Sequence, residues 1–202
     1  MHTTTRRDKE KAQMRSAILE AAIKIILTEG YDKLSMRKIA KAIDYTPTTI
    51  YLYYKDKAQI IDDILQEVYQ RVIQNVTTAA NENKNAPIHK QLELSFKAFI
   101  NTMVSNAEMG RAVIRSGTKA IFGDSDSAKP PEENGVLMLH HILLEGQRQS
   151  IFRKLDDNIS WMLVSALLGF TMNAIENQLY LKASWDSMVD TYTELLINGL
   201  LQ

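Results

Sequence analysis

Residues 34–65 read LSMRKIAKAIDYTPTTIYLYYKDKAQIIDDIL, and the punctuation of this stretch decides the fold. Leu34 leads into Ser35, a good helix N-cap, after which Met36, Ile39, Ala40 and Ile43 recur at helical spacing. Asp44-Tyr45 leaves room only for a tight turn before Thr46-Pro47. That dipeptide is a start signal, a capping hydroxyl followed by proline at the first helical position. The new helix is short, from Pro47 to about Tyr53. Asp56 then caps a long fourth helix that carries Ile60, Ile61, Ile64, Leu65, Val68 and Val72 on one stripe and fades at Asn81–Asn85. Two short helices joined by a tight turn have the proportions of a helix-turn-helix.

Upstream, Met14, Ile18, Ala21, Ala22, Ile25 and Ile26 mark a first helix that Gly30 stops. Downstream, the helical pattern resumes after Pro87 with Leu92, Phe96, Phe99, Ile100 and Met103, and a shorter helix surrounds Met109–Arg115. Residues 117–131 (GTKAIFGDSDSAKPP) read as a loop rich in Gly, Ser, Asp and Pro. Val136, Leu139, Leu143 and Leu144 open a helix expected to end near Arg153. An apolar helix is expected over 157–182, buried on more than one face. Ser184 is placed to cap a last helix bearing Trp185, Met188, Val189, Tyr192, Leu195 and Leu196. No strand alternation appears. The expected fold is all-α, with about nine helices.

The 202 residues hold 24 Lys and Arg against 24 Asp and Glu, so a strongly basic coat protein is excluded. The neutral total hides an asymmetry: residues 1–57 carry 12 basic and 7 acidic side chains. A basic head on an acidic body points to a polyanion at one end. With no cysteine, the chain has no disulfide framework, thiolate zinc site or thiol nucleophile. Met1–Arg15 has charges and no apolar core, so no signal peptide is expected. Ile159–Ile175 is free of formal charge but short for a membrane span and interrupted by Ser160, Ser165, Thr171 and Asn173. A cytoplasmic location without a membrane partner is the expectation.

The stretch from Ile18-Leu-Glu-Ala-Ala to Leu65 resembles the DNA-binding domain of the TetR family of transcriptional regulators. Its most specific elements are Ile50-Tyr51-x-Tyr53-Tyr54 and the Lys55-Asp56-Lys57 that follows. Asp44 stands where that family usually has glycine in the turn, and Asp tolerates left-handed geometry at some cost. The resemblance implies a three-helix head at 1–57, with a basic arm over 1–15, joined through the long helix to a helical effector-binding and dimerisation domain at 58–202. It places DNA contacts at Arg37, Thr46, Pro47, Thr48, Thr49, Tyr51, Tyr53 and Lys57.

The residues themselves support those roles. Ile50 and Tyr54 suit an inner face, and the neighbouring threonines and tyrosines offer hydroxyls to phosphates and bases. Arg37 can make a bidentate contact with guanine. Lys55 and Lys57 would grip phosphate. The basic arm would lie along phosphates or in the minor groove.

In the body, an apolar helix followed by an amphipathic one meets the needs of a homodimer interface through residues 157–200, with Leu167 and Leu196 among its carriers. Middle helices would line a site for a small, largely apolar effector, with Tyr69, Met103, Asn106, Arg111, His140, Glu145, Met162 and Asn173 as candidates. His141 and Glu145 form an i, i+4 pair without a third ligand at useful spacing, so no metal and no cofactor are expected. The expected function is repression from a palindromic double-stranded DNA operator, relieved by the effector. Rivals are a similar DNA-binding protein without an effector and a helical enzyme or metal-dependent protein.

Overall fold

Helix starts in the computed structural model fall where the capping residues stand. The structure describes residues 6–105, 107–115 and 135–202. Asn106 and the loop at 117–131 lie outside the described residues. Among those described, nine α-helices occur: α1 (Arg6–Glu29), α2 (Met36–Ala42), α3 (Pro47–Tyr51), α4 (Lys57–Glu82), α5 (Ile88–Val104), α6 (Ala107–Arg115), α7 (Gly135–Arg148), α8 (Ile159–Glu176) and α9 (Trp185–Asn198). The sole extended pairing among them is a single antiparallel bridge between Phe152 and Leu201.

The chain divides into two compact units, Met1–Val68 and Tyr69–Gln202. The N-terminal unit takes in the first turns of α4, where Ile60, Ile61, Ile64 and Leu65 are buried.

In the N-terminal unit, Ile18, Ala22, Ile26, Ile39, Ala40 and Ile50 are wholly or nearly inaccessible and form its apolar centre. Gly30 ends α1 with φ 92°, a conformation that side-chain-bearing residues rarely adopt. The Ser35 hydroxyl accepts from the Lys38 amide at 3.3 Å, and the Thr46 hydroxyl accepts from the Thr49 amide at 3.3 Å. Between them Asp44 takes φ 57°, so the left-handed turn is present without glycine. Asp56 accepts from the Gln59 amide at 2.9 Å while Gln59 Oε1 accepts from the Lys55 amide at 2.9 Å. This reciprocal cap satisfies two amides at the start of α4.

In the C-terminal unit, α5 packs against α6, α7, α8 and α9, and α8 also packs against α6 and α7. Leu92, Phe96, Ile100, Leu143, Phe152, Leu163, Leu167, Ile175, Val189 and Ile197 make one core. Phe170 stacks between Trp185 and Tyr192, with ring centroids 5.8 and 4.1 Å away.

Four local expectations are corrected here. Helix α7 stops at Arg148, short of Arg153, because Ser150 turns left-handed at φ 57° and the amides of Ile151 and Phe152 both fold back to the Gly146 carbonyl at 3.0 and 3.2 Å. The apolar helix spans Ile159–Glu176 rather than 157–182, because Gln178 adopts φ 52° and Leu179–Leu181 continue as a 3₁₀ turn. Ser184 occupies the N-cap position of α9, but its side chain makes no capping bond. Finally, α8 buries one stripe within the chain (Ser160, Leu163, Leu167, Thr171, Ala174) and leaves the opposite one open. Among the described residues, α8 alone is long and apolar enough to cross a membrane, with mean hydropathy 1.3.

Candidate nucleic-acid interface

The element expected to meet DNA is α3 with its flanks, and its orientation within the unit follows from two buried side chains. Ile50 and Tyr54, four residues apart, are both inaccessible and turn one side of the helix inward. At 100° per residue, the opposite side carries Thr48 and Leu52, with Tyr51 beside them. All three are exposed, Tyr51 at 55% and Leu52 at 75%. Thr46 and Thr49 join hydroxyls at 3.0 Å and spend part of their hydrogen-bonding capacity on the helix's own cap.

The inward side is held by a polar cluster linking α1, α3 and α4. Asp63 Oδ2 accepts from the Tyr54 hydroxyl at 2.9 Å and from Arg15 Nη2 at 2.7 Å. Arg15 Nη1 also donates to the Tyr53 carbonyl at 3.1 Å, and the guanidinium lies 4.3 Å from the centre of the Tyr54 ring. Burial, then the bond to Asp63, pushes the Tyr54 phenol up to about 12. The bond to Asp63 likewise raises the Arg15 guanidinium above its ordinary value. Both groups therefore keep their protons at neutral pH, and the end of α3 stays fixed to α1 and α4.

The described residues of the expected basic arm, 1–15, are helical. From Arg6 onward they are the first turns of α1, and Arg15 points into the unit to Asp63. Arg6 pairs with Glu10 at 2.9 Å.

The cations expected at DNA are placed as follows. Arg37 is exposed on α2, Lys55 is exposed between α3 and α4, and Lys57 opens α4 with its ammonium 5.2 Å from the Tyr31 ring centre. Pro47 and Tyr53 are half-buried, and Thr46 and Thr48 are exposed. Lys38, by contrast, is engaged in an ion pair with Glu29. The geometry brings the exposed members of the set to α2, α3 and the segment that joins α3 to α4. Tyr45 in the preceding turn and Leu52 just after α3 are also exposed beside them but were passed over in the sequence. Leu52's position four residues after Thr48 was the available signal.

The body residues singled out as effector candidates have varied settings. Met103 is buried. Tyr69 is half-buried, and its hydroxyl accepts from the Gly135 amide at 3.0 Å. Arg111 donates to Glu176 at 3.1 Å and also pairs with Glu108, which ties α6 to α8. His140 Nδ1 faces the buried Ser160 hydroxyl at 3.4 Å. Glu145 lies on the surface, where Arg148 and Gln149 hold its carboxyl down to about 2. Met162 and Asn173 lie on the open side of α8, so they face away from this unit's core. Asn106 is outside the described residues. Among the described residues, no three His, Asp or Glu side chains gather into a metal site.

Comparison with known proteins falls on the same segment. Residues 18–64 match the family model described as bacterial regulatory proteins, tetR family. The chain is 23% identical to the probable HTH-type transcriptional regulator YttP of Bacillus subtilis, over 69% of this chain and 67% of that protein. It is 31% identical to the fatty acid metabolism regulator protein of the same organism, over 39% of this chain and 40% of that protein. The match thus spans less than half of the second relative. Among solved structures, RolR in complex with resorcinol superposes with a TM-score of 0.68 at 15% identity, covering 95% of this chain and 89% of that one.

Proposed function

Since the chain belongs to the tetR family of bacterial regulatory proteins, with a DNA-binding head, we propose that it acts as a homodimeric repressor of a palindromic operator, released when a small apolar effector binds its C-terminal unit. The observation that carries the DNA half of this reading is the outer side of α3. Thr48, Tyr51 and Leu52 stand exposed there, while Arg37, Lys55 and Lys57 supply cations on the neighbouring segments. Phosphate contacts from the cations would position the head, and the helix would meet base edges in the major groove.

The homodimer is supported by the open side of α8 and α9. Met162, Ser165, Gly169 and Met172 recur at helical spacing on α8, and Leu195 is 65% exposed on α9. A stripe of this kind on α8, with an exposed leucine on α9, suits a four-helix contact with a second copy, where the same patch meets itself. Effector release is supported by the family and by RolR, a structure of similar fold solved with a small aromatic ligand. The effector-free reading draws on the internal pairing of Arg111 and Glu145. One experiment separates these readings. Duplexes selected from a random pool by the full-length protein are tested for binding with and without small-molecule extracts of cells. Enrichment of palindromes that extract releases supports the full proposal, and palindromes insensitive to every extract favour the effector-free reading.

A further inference from the structure

We propose that α3 reads its half-site through thymine methyl groups, with Leu52 as the central reading side chain. The core of each half-site is then made of T·A pairs. This rests on the DNA-binding reading above and names what that face recognises.

The argument begins with what α3 lacks. Direct readout uses Arg or Lys for guanine, Asn or Gln for adenine, Asp or Glu for cytosine, and apolar groups for the thymine methyl. The segment Thr46–Tyr54 reads TPTTIYLYY and contains none of those six polar types. Its reading chemistry is confined to methyl groups, rings and hydroxyls.

Position then selects the reader. Ile50 and Tyr54 fix the inward side, and Leu52 stands opposite both. At 75% it is the most exposed large apolar side chain among the described residues. A lone exposed leucine is ordinary on a protein surface. Here, however, it is the C-cap residue of α3, next to the exposed Tyr51 and on the same side as Thr48, in a segment bordered by Arg37, Lys55 and Lys57. Those cations are the groups that would pair with backbone phosphates. Between those phosphates, the apolar partner that DNA itself supplies is the thymine methyl.

The test uses the full-length protein and operators selected from a random duplex pool. Every dT in the selected half-sites is replaced in turn by dU, which deletes the methyl and keeps the pairing. At the position Leu52 reads, each methyl lost weakens binding about fourfold, or about 15-fold when both half-sites are changed. In Leu52→Ala, dT and dU operators bind alike at that position. Binding indifferent to dU at every position, half-sites with G·C cores, or Leu52→Ala that keeps the discrimination each overturns the proposal. The DNA-binding reading survives all three, whereas failure to enrich any sequence overturns both.

Discussion

The Tyr54 hydroxyl donates to Asp63 Oδ2 at 2.9 Å, the same oxygen that Arg15 reaches at 2.7 Å. One carboxylate on α4 therefore secures the last buried residue after α3 and a guanidinium from α1. Asp63→Ala leaves two donors without their partner and is expected to cost about 1–3 kcal/mol of stability. Tyr54→Phe keeps the ring and the Arg15 pair, so it should cost only about 1 kcal/mol. Chemical denaturation followed by circular dichroism measures both, and equal losses would remove Asp63 from its role as the shared acceptor.

The same bond fixes a pH dependence. The Tyr54 phenol titrates near 12 in the folded protein against an ordinary value of 10.0. Below pH 10 both states hold the proton, so this group gives no slope. Between pH 10 and 12 the unfolded chain loses the proton first, and stability falls as pH rises. Other alkaline titrations are common to the wild type and Tyr54→Phe. The difference between their stabilities should therefore shrink across that window, and a constant difference from pH 9 to 11.5 refutes it.

The cations around α3 should make operator binding steep in salt. If Arg37, Lys55 and Lys57 each neutralise a phosphate in both subunits, the log–log slope is about −5. Lys57→Ala weakens all sequences alike and flattens the slope. Arg37→Ala also relaxes preference at one base pair, by about 1–3 kcal/mol if it grips guanine. Titrations at several salt concentrations read both, and a slope near zero would leave these cations without their proposed contacts.

Local chemistry explains why so much of the head was legible in the sequence. Ser35, Thr46-Pro47 and Asp56 cap helices with atoms three residues away, and Asp44 makes its turn within its own dipeptide. What sequence left obscure depends on distant partners. Arg15 counts as one more basic residue until Asp63, 48 positions later, is brought beside it. Leu52 becomes notable only once Ile50 and Tyr54 have claimed the opposite side. The apolar run after Ile175 hides a break because Leu179–Leu181 keep the hydrophobic pattern while Gln178 turns left-handed. In the body, nothing in spacing assigns Arg111 to Glu176, 65 positions away, whereas Glu145 and Arg148 stand at the i, i+3 spacing of a helical ion pair.

Packing around Phe152 gives a test of the fold-back after α7. A Cβ added at Gly146 would lie 2.1 Å from the Phe152 ring. Alanine normally favours a helix over glycine by about 1 kcal/mol. At this position the buried ring must move instead, so Gly146→Ala should lose about 1–3 kcal/mol. A gain in thermal stability would show that Phe152 is not seated against the helix.

The open stripe of α8 yields contrasting outcomes for two kinds of substitution. Leu167 is buried in the C-terminal core, not on the stripe, so Leu167→Glu should unfold the chain. Met162→Glu and Leu195→Glu should leave helicity intact and give monomers in sedimentation. Gly169 sharpens the case, because a Cβ there meets nothing within 4 Å in its own chain. Alanine at this position should stabilise an isolated subunit by up to about 1 kcal/mol and yet weaken a dimer whose helices cross closely at that point. Unchanged dimers in all three variants would place the interface elsewhere.

Effector control makes a prediction that does not depend on knowing where the ligand sits. Two equilibria on one protein are linked reciprocally: the factor by which an effector lowers operator affinity is the factor by which operator lowers effector affinity. A typical coupling of about 1–3 kcal/mol corresponds to a change of about 5- to 150-fold in each. The continuous α4, Lys57–Glu82, begins in the N-terminal unit and continues in the C-terminal one, so a single helix belongs to both partners of the linkage. Calorimetric titration of a releasing compound, with and without saturating operator, measures one side, and operator titration with and without the compound measures the other. The two factors should agree. An effector that binds equally well in both titrations has no differential affinity and cannot cause release, and that outcome would leave DNA binding in place while removing the effector from the function.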